Sequence, residues 1–431
     1  MKFPSTRGTA APATLSAALV AGLAADGGLY VPESLPTFAA ADFADDATLA
    51  AITARLLAPF FADDALADEL PAICAEAFDF PVTLKALAVA QTSLLELFHG
   101  PTAAFKDFGA RFLAACMRRL RRNDDPRLTI VVATSGDTGA AVAAAFHGLD
   151  GLNVVILYPD GRVAPRQAHQ LGCFGDNVRA LRVDGSFDDC QRLVKQALND
   201  GDLQSHVPLS SANSISLGRL LPQMSYYAYA SLTHWREHGE ALNFVVPTGN
   251  LGNAMAAILA RACGLPIGRI ALATNANRVL ATFFDGGDYV PRPSSATLAN
   301  AMDVGAPSNF ERLRWLYPDD ALLRAAFDVH AVDDEQIRMT IRSGPARYGD
   351  VFCPHTACAV RVLEDLREHG VEGQWTIVAT AHPAKFEQIV EPLVGHAVPA
   401  PAALAALLAR PAHAEPLAAN YTAFRDRLVR T

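Results

Sequence analysis

The sequence predicts an α/β protein in which two parallel-sheet α/β domains follow a helical N-terminal region. Three observations predict this fold class. The first part of the 431-residue chain is rich in alanine and interrupted by Pro and Asp, which is typical of short helices. Short β-branched runs then alternate with helical segments, the order that buries a parallel sheet between helices. Hydrophobic residues make up 51% of the chain, enough for a large core.

Helices are expected in the N-terminal region, residues 1–95. Three of them are predicted at 14–25, 45–58 and 62–77. The first also imitates a secretory signal, because Lys2 and Arg7 precede an apolar run. We interpret it as a helix of the working protein, since seven cysteines without a CxxC pair favour a reducing compartment over secretion.

Two series of alternating strands and helices follow, and each is expected to form one domain. The smaller domain, residues 128–239, contains elements predicted at 128–133, 140–146, 153–157, 165–171, 178–183, 186–198 and 215–235. The larger domain combines residues 96–127 with 240–431 and contains elements predicted at 243–246, 254–262, 270–273 and 375–379. Ser186 is a predicted N-cap, and the Ala/Pro-rich stretch 397–416 is expected to run over the surface.

Charge and composition exclude several classes of partner. The chain has 45 acidic and 36 basic residues, a net charge of −9, so it lacks the overall basic field of a nucleic-acid-binding protein. No apolar stretch reaches the ~20 residues of a membrane span. No His/Cys cluster has the spacing of a zinc site, so no metal is expected. We therefore expect a cytoplasmic protein without a nucleic-acid or membrane partner.

Gly249 and Gly252 lie in a turn between a predicted strand and a predicted helix. Glycines let the backbone approach an anion closely, and the free N–H groups at a helix N-terminus point at it. The turn has neither the GxGxxG nor the GxxxxGK[ST] pattern, which disfavours a dinucleotide site or a P-loop. Either an anion site or an ordinary strand-to-helix turn is compatible with this motif.

A second turn of the same kind covers residues 134–139 and is rich in hydroxyls. Ser135 and Thr138 would suit a substrate carboxylate or phosphate at a helix start. Asp137 would repel such an anion unless it faces another group. Plain helix capping by Ser135 or Asp137 is the alternative.

Lys106 is one of only five lysines in the chain and lies between Phe105 and Asp107–Phe108 at a predicted helix start. Burial between aromatic residues would lower the pKa of its amine and make it a better nucleophile toward a carbonyl. Alternatively, its ammonium reaches solvent and pairs with Asp107.

Ser214 and Arg219 open the predicted helix 215–235, with Ser214 as a candidate N-cap. Helix N–H groups, a hydroxyl and a guanidinium would together suit a phosphate monoester. Arg219 could equally be an ordinary surface residue.

Taken together, these motifs resemble the threonine synthases of the microbial class that works without S-adenosylmethionine activation. The resemblance covers nearly the whole chain and runs through residues 5–8, 22–33, 98–108, 135–139, 213–223, 247–253, 273–275, 308–312, 354–357 and 379–386. It implies the tryptophan-synthase-like fold of pyridoxal-phosphate enzymes, with a large and a small α/β domain. It also implies the conversion of O-phospho-L-homoserine and water into L-threonine and phosphate.

The resemblance assigns roles to individual residues. It makes Lys106 the catalytic lysine that binds the cofactor aldehyde and removes the substrate α-proton. The cofactor-binding residues that it implies are Lys106, Asp137, Gly249, Asn250, Leu251, Gly252, Asn253 and Thr380. Residues 249–253 would hold the cofactor phosphate, and Thr380 would face the pyridine nitrogen and leave it largely uncharged. The residues implied for the phosphate and carboxylate of the substrate are Ser135, Thr138, Ser214 and Arg219.

Three residues depart from the family pattern. Ser216 stands where Asn is usual, Arg278 where Asp is usual and Cys353 where Asp is usual. Ser216 bears on how phosphate is held, and the other two bear on finer substrate contacts. The alternatives are a pyridoxal-phosphate-dependent phospho-lyase or dehydratase that releases a 2-keto acid, and a non-catalytic relative that binds the cofactor. A nucleotide-binding Rossmann protein is disfavoured because its glycine fingerprint is absent.

Overall fold

Two β-sheets organise the chain in the computed structural model, which describes residues 1–122 and 124–430. The strands are β1 (Thr83–Ala86), β2 (Thr92–Glu96), β3 (Leu128–Ala133), β4 (Leu152–Pro159), β5 (Val178–Asp184), β6 (Leu209–Ser211), β7 (Leu242–Pro247), β8 (Ile267–Thr274), β9 (Asp328–Ala331), β10 (Trp375–Ala379) and β11 (Glu415–Ala418). The larger sheet has the order β1-β2-β10-β7-β8-β9, and the smaller has the order β11-β5-β4-β3-β6. Strand β1 is antiparallel to β2, and the other paired strands are parallel.

Helices cover the sheets and form much of the N-terminal region. They are α1 (Leu15–Ala21), α2 (Leu49–Leu57), α3 (Leu70–Ala77), α4 (Lys106–Leu120), α5 (Asp137–Phe146), α6 (Pro165–Gly172), α7 (Phe187–Asn199), α8 (Gly201–His206), α9 (Leu217–Leu220), α10 (Met224–His238), α11 (Gly252–Ala262), α12 (Val279–Phe284), α13 (Phe310–Leu316), α14 (Asp320–Ala325), α15 (Asp334–Tyr348), α16 (Pro354–Glu368), α17 (Glu387–Val394), α18 (Ala402–Leu408) and α19 (Tyr421–Val429). Helix α4 packs against α3, α5 and α9 and so links the N-terminal region to the smaller sheet.

The predicted fold class is confirmed, and several elements agree in detail. Strands β3 and β10 have the predicted bounds, because each is a short β-branched run that is buried along its whole length. Ser186 caps α7, and its hydroxyl accepts a hydrogen bond from the Asp189 N–H. The domain division itself stays a prediction, and its residues 123 and 431 lie outside the described residues. The strand pairing adds that β1 and β2 join the larger sheet and that β11 joins the smaller one.

Three predicted elements differ from the structure. The helix predicted at 62–77 begins only at Leu70, after a series of turns. The long helix predicted at 215–235 is divided into α9, a 3-10 turn at Leu221–Gln223 and α10, because Pro222 has no N–H to continue the helix. The stretch 397–416 is more than a surface segment, since it contains α18 with its buried Leu404 and the first residues of β11.

The sheets bring one set of strand ends together. Residues 134–139 follow β3, residues 248–251 follow β7 and Thr380 follows β10. All three strands lie in parallel ladders, so these loops are at the carboxyl ends of their sheets. That edge is where open α/β sheets bind ligands.

Candidate active site

Loops of both sheets line one pocket at these carboxyl ends. Its walls are formed by Phe105, Lys106, Asp137, Ser214, residues 247–253, Ala301, Met302, His355 and Thr380. The pocket therefore contains Lys106, the glycine-rich turn 249–253 and Thr380, all of which were predicted as site residues. Ser135 precedes α5 and Thr138 lies in its first turn, on either side of Asp137, but neither residue lines the pocket, and nor does the buried Arg219.

Lys106 begins α4, and the backbone before it is tied to the larger sheet. The Phe105 N–H donates to the carbonyl oxygen of Thr380 at 2.8 Å. Asp107 is buried and accepts hydrogen bonds from the Thr102 N–H at 2.9 Å and the Thr102 hydroxyl at 2.7 Å. The alternative in which Lys106 pairs with Asp107 is therefore wrong, because that carboxylate is bound by Thr102.

The Lys106 amine lies in a partly buried position beside the pocket. Its Nζ is 4.4 Å from the centroid of the Phe105 ring. Burial, together with the positive charge of Arg219, lowers the pKa of Lys106 to about 7, although Asp137 opposes the shift. A large share of Lys106 is thus a neutral amine near neutral pH, the form that attacks a carbonyl carbon.

The turn at residues 249–253 is a close-packed cradle that leads into α11. Leu251 has a left-handed backbone with φ of 61°, which turns successive N–H groups toward one side. A Cβ on Gly249 would lie 2.7 Å from the Cα of Met302. The turn therefore requires glycine at 249, and it presents the N-terminus of an 11-residue helix to the pocket.

Asn253 contributes an unused donor to this cradle. Its Oδ1 accepts hydrogen bonds from the hydroxyls of Tyr226 at 2.6 Å and Tyr227 at 2.8 Å. Its buried Nδ2 has no hydrogen-bond partner within the described residues. A buried amide donor without a partner is costly, so a ligand oxygen at this point would satisfy it.

Asn250 joins the cradle to the segment before α9. Its Nδ2 donates to Ser214 Oγ at 2.6 Å, and its Oδ1 accepts from the Ser308 N–H. The predicted capping role of Ser214 is wrong, since the N-cap residue of α9 is Ser216. Ser214 instead presents its side chain to the pocket.

The loop before α5 is held by Thr134. The Thr134 hydroxyl accepts hydrogen bonds from the N–H groups of Gly136 and Gly139, each at 2.9 Å. The capping alternative for Ser135 or Asp137 is not what the structure has, because the N-cap of α5 is Gly136 and no side chain caps it. The Ser135 carbonyl accepts from Asn300 Nδ2 at 3.2 Å, which links this loop to the larger sheet.

Asp137 is buried and faces a second lysine. Its Oδ1 lies 2.8 Å from Nζ of Lys385, and Gln167 Nε2 donates to the same oxygen at 2.7 Å. Burial pushes the pKa of Asp137 upward, but Lys385, His355 and Gln167 outweigh it, so the pKa lies below its ordinary value. Asp137 is thus a carboxylate in this structure.

Arg219 is a buried cation behind Lys106, which excludes the surface alternative. Only 1% of Arg219 is exposed, and its Nη1 donates to the Ala212 carbonyl at 2.5 Å. Burial lowers the pKa of Arg219 to about 10. Its Nε and the buried hydroxyl of Ser216 both lack a partner in residues 1–122 and 124–430. Neither residue lines the pocket, and Arg219 Nε packs closely against Gly109 of α4.

The other two departures from the family pattern take different positions. Cys353 is the N-cap of α16, and its Sγ accepts from the Thr356 N–H at 3.4 Å. The family usually has the carboxylate of Asp at this helix N-terminus, and the thiol is a weaker hydrogen-bond acceptor than a carboxylate. Arg278 is 59% exposed, and its nearest carboxylate, that of Asp285, is 3.9 Å away.

Lys385, Gln167 and His355 were not among the predicted site residues. His355 lines the pocket, and its Nε2 accepts the Ala301 N–H at 3.0 Å. Burial lowers the pKa of His355 to about 4, so the ring is neutral. Lys385 and His355 do lie in recognised motifs, whereas Gln167 lies in an ordinary helix, α6, and carries no sequence signal.

A larger cavity of about 640 Å³ adjoins the pocket and shares Asn250 with it. Its walls come from the N-terminal region, α7 and residues 289–314. Three cationic side chains line it: Arg7, Lys195 and Arg314. Glu311 also lines it and lies 3.4 Å from Arg7.

Comparison with known families gives three matches along the chain. Residues 86–382 match the profile of pyridoxal-phosphate dependent enzymes. Residues 2–78 match the N-terminal profile of threonine synthases, and residues 356–427 match their C-terminal profile.

Individual proteins are similar over nearly the whole length. The threonine synthases of Serratia marcescens and Escherichia coli K12 are each 39% identical to this chain over 414 residues, which is 96% of the chain and 95% of each relative. The crystal structure of the Escherichia coli threonine synthase superposes with a TM-score of 0.93 at 37% identity and covers 100% of both chains. A pyridoxal-phosphate-bound threonine synthase from Brucella melitensis gives a TM-score of 0.89 at 35% identity, over 100% of this chain and 99% of that one.

Proposed function

The chain belongs to the threonine synthases, which are pyridoxal-phosphate-dependent lyases, and from this membership we propose that it converts O-phospho-L-homoserine and water into L-threonine and phosphate. The observation that carries the proposal is the position of Lys106. Its amine lines the same pocket as the glycine-rich turn 249–253, and burial together with the charge of Arg219 lowers its pKa.

The residues that line the pocket fit pyridoxal phosphate. The N–H groups of residues 249–253 and the unpartnered Nδ2 of Asn253 would hold its phosphate. Lys106 would bind its aldehyde, Thr380 would face its ring nitrogen and Asp137 would lie near its ring oxygen. When bound, the cofactor supplies a conjugated ring that accepts electrons from the substrate.

Lys106 has the properties of the group that moves protons at the substrate α-carbon. An amine with a pKa of about 7 is neutral in roughly half of the molecules at neutral pH, which suits both the removal and the return of a proton. Arg219 behind it keeps the amine from being fully protonated. We assign this proton transfer to Nζ of Lys106.

The substrate phosphate is assigned to Arg219 and the neighbouring hydroxyls. The unpartnered Nε of Arg219 and Oγ of Ser216 are buried donors that a phosphate would satisfy. Ser214, which lines the pocket, and Ser135 and Thr138, which flank the pocket residue Asp137 in the sequence, would add hydroxyls. Fixing the phosphate would align the bond that breaks and avoid an unpaired buried charge.

The adjoining cavity is assigned as the route of the substrate. Arg7, Lys195 and Arg314 on its walls would attract a phosphorylated amino acid toward Asn250 and the pocket. No helix among the described residues has the length and apolarity that crossing a bilayer requires. We propose that the enzyme works in the cytoplasm on this small-molecule substrate.

The test is the product formed from O-phospho-L-homoserine by the purified protein with pyridoxal phosphate. Threonine and inorganic phosphate in equal amounts are expected. Formation of 2-oxobutyrate in place of threonine would instead establish a dehydratase or phospho-lyase. Bound cofactor without turnover of any phosphorylated amino acid would favour a non-catalytic relative.

A further inference from the structure

Lys385 is a fully buried lysine whose charge is satisfied inside the protein. Its side chain has 0% exposure, and Nζ lies 2.8 Å from Asp137 Oδ1 and 2.7 Å from the carbonyl oxygen of Thr102. The chain also has an exposed lysine ion pair of similar length, Lys85 with Asp350 at 2.7 Å. Burying an ammonium is costly unless it is paired and hydrogen-bonded, so the position of Lys385 calls for a reason that Lys85 does not need.

The contacts of Lys385 join three parts of the pocket. Lys385 lies in the 3-10 turn Pro383–Phe386, which follows β10 of the larger sheet. Asp137 begins α5 beside the smaller sheet, and Thr102 belongs to the loop that leads to Lys106. One ammonium thus fixes the two sheets and the Lys106 loop relative to each other.

The charges around the pair leave Lys385 as the main counter-ion of Asp137. Lys106 lines the same pocket but carries only about half a charge near pH 7, and His355 is neutral. Burial raises the pKa of the Cys353 thiol, so it is uncharged as well. Asp107, the other carboxylate near Lys385, is already bound by Thr102.

We propose that Lys385 is a positioning residue that keeps Asp137 ionised and fixed in the pocket, as a negative charge that favours the protonated nitrogen of Lys106. Without Lys385, the buried Asp137 carboxylate would lose its counter-ion and become protonated. The proposal rests on the proposed function only in that Lys106 is taken to bind the cofactor.

The test compares Lys385→Met, Asp137→Asn and the double variant, with Lys85→Met as the matched control. The first readout is thermal unfolding of the protein without cofactor. Each single variant at the buried pair leaves one charge unpaired, so both should lower Tm, and the double variant should lose less than the two single losses added. Lys85→Met should change Tm little, because its ion pair is exposed.

The second readout is the pH titration of the absorbance of the cofactor bound to Lys106. A carboxylate nearby favours the protonated nitrogen of Lys106, so Asp137→Asn should lower the midpoint by about one pH unit or more. Lys385→Met should shift it in the same direction and by a similar amount, and the double variant should not shift it further. The Lys85→Met midpoint should equal that of the wild type.

Additive losses of Tm, or a Lys385→Met midpoint equal to the wild-type midpoint, would overturn the proposal. If Lys385→Met does not fold, Asp137→Asn and the double variant still test the proposal. The double variant should fold, because neither charge of the buried pair is left unpaired. A protein that binds no pyridoxal phosphate contradicts the proposed function, while the unfolding experiment still reports on the ion pair.

Discussion

Gly249 lies directly against the backbone of Met302. A Cβ at Gly249 would approach the Met302 Cα to 2.7 Å and the Met302 carbonyl oxygen to 3.0 Å. Both obstacles are main-chain atoms, so no side-chain rotation can make room. The turn before α11 can keep its shape only with glycine at this position.

Gly249→Ala is therefore expected to displace the turn, to destabilise the protein by about 1–3 kcal/mol and to weaken cofactor binding. Gly201→Ala is the control, because nothing lies within 4 Å of the added Cβ and the residue is at the start of α8. Gly201→Ala should keep the stability and the cofactor affinity of the wild type. Urea unfolding and cofactor titration measure the two effects, and wild-type affinity in Gly249→Ala would contradict the assigned cradle.

Lys106→Ala removes the amine at the start of α4. Turnover of O-phospho-L-homoserine should fall by roughly 10³-fold or more, because both the covalent attachment and the proton transfer are lost. Borohydride reduction of the loaded wild type should label the peptide that contains Lys106, as identified by mass spectrometry. Lys85→Ala, at an exposed lysine, should keep both activity and labelling. Label on a different lysine in the wild type would refute the assignment.

Arg219→Met removes the buried guanidinium behind the pocket. The KM for O-phospho-L-homoserine should rise about 10- to 100-fold, which matches the loss of one charge-assisted hydrogen bond of about 1.5–3 kcal/mol. Inhibition by inorganic phosphate should weaken in parallel. Arg342→Met serves as the control, because Arg342 is exposed and lines neither the pocket nor the adjoining cavity. An unchanged KM in Arg219→Met would remove Arg219 from the phosphate site.

His355 makes the stability of the folded protein depend on pH. Its pKa is about 4 in the folded chain and about 6.5 when unfolded, so the unfolded chain binds the extra proton first as the pH falls. The contribution of His355 to the free energy of unfolding is fully present above about pH 6.5. It decreases as the pH falls toward 4, and the decrease is about 2–3 kcal/mol at about pH 4.5. His382 shifts in the same direction and adds its own share.

Urea unfolding of the protein without cofactor, at about pH 7 and about pH 4.5, tests the role of His355. His355→Gln should reduce the difference in unfolding free energy between the two pH values. His396→Gln, at an exposed histidine, should leave it as in the wild type. An equal difference in His355→Gln and the wild type would contradict the prediction.

Elements whose pattern is local could be predicted from the sequence. Strands β3 and β10 are continuous apolar runs, and the Ser186 cap depends on residues three positions apart. Strand β11 has only one buried residue, Leu417, so it gives little hydrophobic signal. Its pairing with β5 arises from tertiary contact, which propensity does not contain.

The residues of the candidate site likewise include some that the sequence could predict and some that it could not. Lys106 and residues 249–253 stand out because amines are scarce and glycines cluster before a helix. Lys385 is just as scarce an amine and lies in a recognised motif, but its role could not be predicted, because its acceptor at Thr102 is 283 residues away in the sequence. Whether Asp137 is ionised depends on that distant lysine, so its charge could be assigned only once the fold was known.

The pairing of β11 with β5 has a consequence for synthesis on the ribosome. Glu415 lies opposite Leu181, so the outer strand of the smaller sheet is supplied by residues that are translated long after β5. Until they emerge, the nascent chain exposes the hydrogen-bonding edge of β5 and the apolar groups that α19 later covers, among them Leu193 in α7. Assembly of this sheet is therefore completed only after β11 has been translated, and until then the edge of β5 is open to pairing with other strands.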